Sequence, residues 1–202
     1  LSRHFDLNEK FVNIDDEFAD HRAELLWLLV HLREDAKAAF VHAAEIARAA
    51  GRKVALTLSD GFCVMTHRAS FLHLIRGQVD LVFGNESEVK ALYETDDFEV
   101  ALALLAKDCD LAAVTCGPEG SVILKGGKIA HRAAAVPINR VVDTTGAGDQ
   151  YAAGFLFGAA RDMSIEDAAK LGHIAAAEVI QHYGPRPQVS LAELAREAGM
   201  NV

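Results

Sequence analysis

Three short apolar runs constrain the fold of this chain more than any other feature. KVALTLS begins at Lys53, VDLVFGN spans Val79 to Asn85, and LAAVTCG spans Leu111 to Gly117. Each is nearly continuous in apolar and β-branched residues, without the alternation of a strand that faces water on one side. Such runs read as parallel strands buried on both faces. The segments between them have helical periodicity. In residues 35–50, DAKAAFVHAAEIARAA, Phe40, Ala43, Ala44, Ile46 and Ala47 fall at helical spacing, and Gly51 follows as a stop. HRASFLHLIRG reads as a short helix ending at Gly77. ESEVKALYE starts with acids that suit a helix N-terminus, and DFEVALALLAKD forms a further helix. Strand and helix in alternation imply an α/β fold, a parallel sheet flanked by helices.

The pattern changes after Gly117. SVILKGGKIAHRAAAV is two strand-like runs around Gly126-Gly127, a hairpin signal. Three helical segments follow, at 150–160, 164–182 and 190–198. Residues 1–34 stand apart as an acidic, irregular lead-in with one apolar, helix-like piece, ELLWLLVHL. Its run from Leu25 to Val30 is too short to span a bilayer. It neither follows a basic start nor precedes a small-residue cleavage site, so neither a membrane partner nor a signal peptide is expected.

Composition narrows the function classes. The 202 residues fit one large domain, or a domain with part of a second. With 51% hydrophobic and 24% charged residues the chain is globular. A net charge of −9 argues against a general nucleic-acid binder but leaves room for a local anion pocket. Cys63, Cys109 and Cys116 are an odd, scattered set, which reads as reduced thiols in a cytoplasmic protein. The nine histidines form no HExxH pair, so no structural zinc is expected.

The chemistry concentrates in DTTGAGDQYAAGFLFG, residues 143–158. Thr144, Thr145 and the glycines read as a strand-to-helix turn, with the helix starting near Gln150. Gly146 and Gly148 permit unusual backbone conformations and leave amides uncovered. The helix adds unpaired N–H groups and the positive end of its dipole. Together these make an anion site. Asp149 at the rim should be ionised and could take a proton from a hydroxyl. Base and anion cradle are the two parts that phosphoryl transfer needs. A plain tight turn with Asp149 as an N-cap is the simpler alternative.

The whole stretch VVDTTGAGDQYAAGFLFG resembles the second signature of the PfkB, or ribokinase-like, carbohydrate kinases. The resemblance implies a three-layer ribokinase-like fold and transfer of a phosphoryl group from ATP to a hydroxyl of a sugar or nucleoside. It implies that Asp149 is the catalytic base, that Gly146, Ala147 and Gly148 form the anion hole, and that Asp143 and Thr145 lie near the nucleotide and a monovalent-cation site. FGNESEVKALYE resembles the family's N-x-x-E element, with Asn85 and Glu88 organising Mg²⁺ and phosphate through water; a capping box explains the same pair. VTCGPEGSVI resembles the strand-turn-strand beside ATP, with Thr115, Gly117 and Gly120. LGHIAAAEVIQHYGPRP is similar to the nucleotide-side helix of adenosine-kinase-like members. There His173 and Ala176 would face adenine, although a packed helix histidine explains His173 equally, and Gly184 would close the cation site, with K⁺ its occupant. The Walker A spacing G-x-x-x-x-G-K-[ST] is absent.

The resemblance runs from about residue 35 to 198. Residues 1–34 read as a divergent or truncated segment, and 35–202 as the C-terminal nucleotide-binding and catalytic part of a kinase domain. Family members are longer, and their N-terminal strands and β-sheet lid, which hold the substrate, have no match here. Impaired transfer is therefore expected, since positioning the substrate hydroxyl supplies much of the rate. The alternative is an inactive nucleotide-binding or interaction remnant of a kinase. A homodimer is left open, because family dimers often pair through the lid.

Overall fold

The structure is a computed structural model in which residues 23–26 and 34–202 are described. Among these, six strands form one sheet in chain order: β1 (Ala23–Leu26), β2 (Lys53–Thr57), β3 (Leu81–Asn85), β4 (Leu111–Thr115), β5 (Ser121–Lys125) and β6 (Lys128–Ala133). β1 to β4 are mutually parallel. β5 and β6 add antiparallel, as the Gly126-Gly127 turn requires of a hairpin. Helices α1 (Glu34–Ala49), α2 (Gly61–Gly77), α3 (Glu86–Tyr93) and α4 (Phe98–Asp108) lie between the parallel strands. α5 (Ala147–Ala160), α6 (Ile165–Val179) and α7 (Leu191–Glu197) follow the hairpin.

The apolar runs are continuous because the sheet is covered twice. Val54 and Leu56 of β2, Val82 of β3, Ala112 and Val114 of β4 and Val122 and Leu124 of β5 pack with residues of α1 to α4. The alternate residues, Ala55, Leu81, Phe83, Ala113 and Ile123, pack with Tyr151, Ala152 and Phe155 of α5 and with Ala168 and Ala169 of α6. The ring of Phe83 meets that of Phe155 edge-on, with centroids 5.6 Å apart. This is the three-layer α/β arrangement expected from the sequence. The helices α5 and α6 come together through small residues. A Cβ on Gly154 would stand 2.5 Å from the Leu171 carbonyl oxygen, and one on Gly172 would stand 2.8 Å from the Tyr151 ring.

Three local expectations are corrected. Within ELLWLLVHL the described residues are extended, since Ala23–Leu26 pairs with β2 through Ala23↔Lys53 to Leu26↔Leu56; Trp27 to Leu32 of that piece lie outside the described residues. α2 starts at Gly61, ahead of the expected HRASFLHLIRG, because the Asp60 side chain accepts from Cys63 N–H at 2.8 Å and caps a turn that the mixed sequence GFCVMT conceals. α2 bends at His67, whose φ of −120° and ψ of 23° leave the helical range. α5 starts at Ala147, not near Gln150, so Gly148 and Asp149 belong to its first turn.

Candidate active site

The turn before α5 is built on Gly146, the helix N-cap, at φ 79°. A glycine takes this left-handed conformation without the strain a Cβ would cause. No side chain caps the helix. The Ala147 N–H folds back on the Thr144 carbonyl at 3.1 Å. Among the described residues, the N–H groups of Gly146, Gly148 and Asp149 make no hydrogen bond. An uncapped helix N-terminus with free amides is a cradle for an anion. The engaged Ala147 amide departs from the trio named in the sequence: the free donors are those of Gly146, Gly148 and Asp149. Gly148 has no positive φ, and a Cβ there would meet nothing within 4 Å, so the space above it is open.

Asp149 is exposed at this mouth, and among the described residues its carboxylate makes no hydrogen bond or ion pair. It is not the N-cap. Partial desolvation of the carboxyl pushes its pKa above the ordinary aspartate value, the direction that makes a better proton acceptor.

Asp143 has a different task. Its Oδ1 accepts from Thr145 N–H at 2.9 Å and its Oδ2 from Gly184 N–H at 3.2 Å. These bonds hold its pKa below the usual carboxylate value, so the group stays ionised. It joins the turn to the loop after α6, where Val142 N–H also donates to the Ile180 carbonyl at 2.8 Å. On the same loop the Pro185 carbonyl accepts from Gln150 Nε2 at 3.1 Å, and Glu178 Oε1 accepts from Gln188 N–H at 2.9 Å.

Asn85 and Glu88 form a complete capping box at the C-terminal end of β3. Asn85 Oδ1 accepts from Glu88 N–H at 2.9 Å, while Glu88 accepts from the Asn85 backbone at 2.9 Å and from Asn85 Nδ2 at 2.7 Å. Glu88 is only 5% exposed, and burial raises its pKa against the opposing pull of the Asn85 bonds. Thr115 pairs with Asn85 across β3 and β4. A cavity of about 870 Å³ opens here, lined by Asn85, Glu86, Ser87, Thr115, Cys116 and Gly117 among others. Gly120 belongs to the fold of this turn, because a Cβ on it would collide with the Ala133 carbonyl. Among the described residues no three His, Cys, Asp or Glu side chains cluster as a metal site. A magnesium ion carried by phosphates needs only one or two protein carboxylates.

His173 does not face this opening. It is 6% exposed, with Nε2 2.9 Å from Ser121 Oγ, so an adenine contact would require it to leave the core. Ala176 is half-buried against the cluster beneath α5 and α6. Tyr151 donates to Ser121 at 2.8 Å, and Ser121 pairs with Thr115 across β4 and β5. That link brings the first turns of α5 to the same end of the sheet as Asn85 and Thr115. The sequence does not reveal Ser121, Tyr151, Gln150 or Pro185 as parts of this assembly. Their contacts join positions 30 and 35 residues apart, which leave no local signature.

The model described as pfkB family carbohydrate kinase matches residues 8–191, starting ahead of residue 35, where the motifs begin. An adenosine kinase of known structure from Sinorhizobium meliloti is 51% identical with a TM-score of 0.83, over 92% of this chain and 57% of that one. A probable sugar kinase of known structure from Rhizobium etli CFN 42 is 49% identical with a TM-score of 0.83, over 88% of this chain and 54% of that one. A curated but uncharacterized sugar kinase from Archaeoglobus fulgidus is 37% identical over 103 residues, which are 50% of this chain and 40% of the other. The chain spans about half the length of the relatives it matches. With the family model covering most of its residues, on the sheet and turn described above, this chain belongs to the pfkB family of carbohydrate kinases.

Proposed function

We propose that this chain carries the phosphoryl-transfer part of a kinase that moves the γ-phosphoryl group of ATP to a hydroxyl of a sugar or nucleoside. The observation that carries the reading is the free Asp149 carboxylate beside the free amides of the α5 N-terminus. Asp149 takes the proton from the substrate hydroxyl as its oxygen bonds to the γ-phosphorus. The bond from that phosphorus to the bridging oxygen breaks, and ADP leaves with the electron pair. The amides of Gly146, Gly148 and Asp149 and the helix dipole stabilise the charge on the transferring group. The cavity at Asn85, Thr115 and Gly117 takes the nucleotide's phosphate side, and the family resemblance assigns Thr145, in the turn before α5, to the nucleotide as well. Mg²⁺, bound to the phosphates, supplies charge neutralisation. The Asn85–Glu88 pair fits an indirect role towards it, through water, since Asn85 engages both Glu88 oxygens. Asp143, kept ionised, and the backbone around Gly184 suit a monovalent cation such as K⁺. Among the described residues no helix is long and apolar enough to cross a membrane. The names of the adenosine kinase and sugar kinase relatives support a sugar or nucleoside as the substrate class.

The test is ATP turnover by the 202-residue chain with Mg²⁺ and K⁺, with and without adenosine, ribose or fructose. Stimulation by one of them, abolished in Asp149→Asn while ATP affinity stays within about twofold, is the expected result. ATP binding without any stimulation would overturn catalysis by this chain and leave an idle nucleotide-binding module. Full turnover in Asp149→Asn would remove Asp149 as the base.

A further inference from the structure

Behind the anion cradle, three polar side chains from three elements meet in the core. Ser121 of β5, Tyr151 of α5 and His173 of α6 are each buried. The Tyr151 hydroxyl donates to Ser121 Oγ at 2.8 Å, and Ser121 Oγ lies 2.9 Å from His173 Nε2. Ser121 can accept from both neighbours or give its own proton to the ring, so the roles in the second bond follow the histidine tautomer. Burial pushes the His173 pKa down to about 4, so the ring is neutral at neutral pH. The Tyr151 ring also meets the His173 ring edge-on, with centroids 5.0 Å apart.

A core filled only with apolar side chains would bury this space with less desolvation. What hydrogen bonds add is direction. Within the core, α5 also meets the Phe83 ring through Phe155 and α6 through close glycine faces, contacts that fix distance better than rotation, while at the surface Gln150 bonds the Pro185 carbonyl. Tyr151 follows Asp149 by two residues in the first turns of the helix, and Ser121 pairs with Thr115 at the end of β4. The bond chain thus ties the roll of α5 to the strand end where the cavity opens.

We propose that Tyr151, Ser121 and His173 are positioning residues, whose hydrogen-bond chain sets the rotation of α5 and so the aim of Asp149 and the Gly148 amide. The catalytic consequence rests on the phosphotransfer reading; the rotational constraint does not.

The test uses the full chain with Tyr151→Phe, which keeps the ring, and Ser121→Ala, which removes the middle link. Amide hydrogen exchange is followed by NMR. The expected result in both variants is exchange about tenfold faster at residues 150–154, the size one lost hydrogen bond allows, with β2 and β3 unchanged. In the turnover assay kcat falls several-fold while KM for ATP stays within about twofold. Unchanged exchange at 150–154 overturns the proposal. So does faster exchange spread evenly through β2 and β3, which would make the trio an ordinary core contact. If the wild-type chain shows no substrate-dependent turnover but the local exchange effect appears, the phosphotransfer reading fails and the constraint on α5 stands.

Discussion

Pro185 lies directly against Gly146: a Cβ on Gly146 would stand 2.5 Å from the Pro185 Cβ. The loop after α6 is thereby laid over the turn that begins α5. Two hydrogen bonds hold it there, from Gly184 N–H to Asp143 and from Gln150 Nε2 to the Pro185 carbonyl. The turn that begins α5 is a joint product of two segments distant in the chain.

Gly146→Ala is expected to destabilise the protein by about 2–4 kcal/mol, through a non-glycine residue in the left-handed region and the collision with Pro185. Urea unfolding measures this. A loss below about 0.5 kcal/mol, the size of an ordinary surface substitution, would mean that turn and loop part freely.

Gly148→Val should behave in the opposite manner. Gly148 is helical and its Cβ position is open, so the change in stability should be within about 1 kcal/mol. The side chain would stand over the free amides, and affinity for a non-hydrolysable ATP analogue should fall roughly tenfold or more. Calorimetric titration checks this, and unchanged affinity would place the phosphate elsewhere.

His173 makes stability depend on pH. Its folded pKa is about 4, depressed from 6.5, so between these values the unfolded chain binds more protons. Its contribution is complete above the unfolded value and is lost as pH falls towards 4, by about 3 kcal/mol in all. Glu88, raised by burial, works with the opposite sign, and Asp143, lowered, acts below this window. Denaturation at pH 7 and pH 5 for wild type and His173→Gln isolates the histidine. The wild type should lose more stability than the variant, and equal losses would show that His173 is not held neutral.

Asn85→Ala removes the helix cap and the Nδ2 bond to buried Glu88, at a cost of about 2–4 kcal/mol. Glu88→Gln should cost less and shift the Mg²⁺ dependence of turnover more than ATP affinity. An unchanged Mg²⁺ titration would confine Glu88 to the capping box.

The strands β2, β3 and β4 were legible because burial on both faces demands unbroken apolar runs, and Val54, Ala55 and Leu56 satisfy it residue by residue. Asn85 and Glu88 were legible as a cap because the partners are three residues apart. The start of α5 is not legible in the sequence because Gly146 and Gly148 look alike there, although of the two only Gly146 takes a positive φ. The start of α2 was hidden because its signal is one Asp60 bond rather than an apolar stripe. His173 was ambiguous for a different reason: a histidine on an apolar helix can face a ligand or a buried hydroxyl, and Ser121 lies 52 residues away.

By itself the sequence determined the layered α/β architecture, the hairpin, the capping box and the glycine turn with its carboxylate. Each depends on residues close in the chain, whose periodicity or spacing sets local backbone and burial. Packing of distant segments sets which amides remain free, lays Pro185 over Gly146, lets Asp143 tie two loops, and joins Ser121, Tyr151 and His173 in one hydrogen-bond chain. These contacts join segments far apart in sequence. Their geometry is set by how α5 and α6 pack against the sheet, which no local pattern encodes.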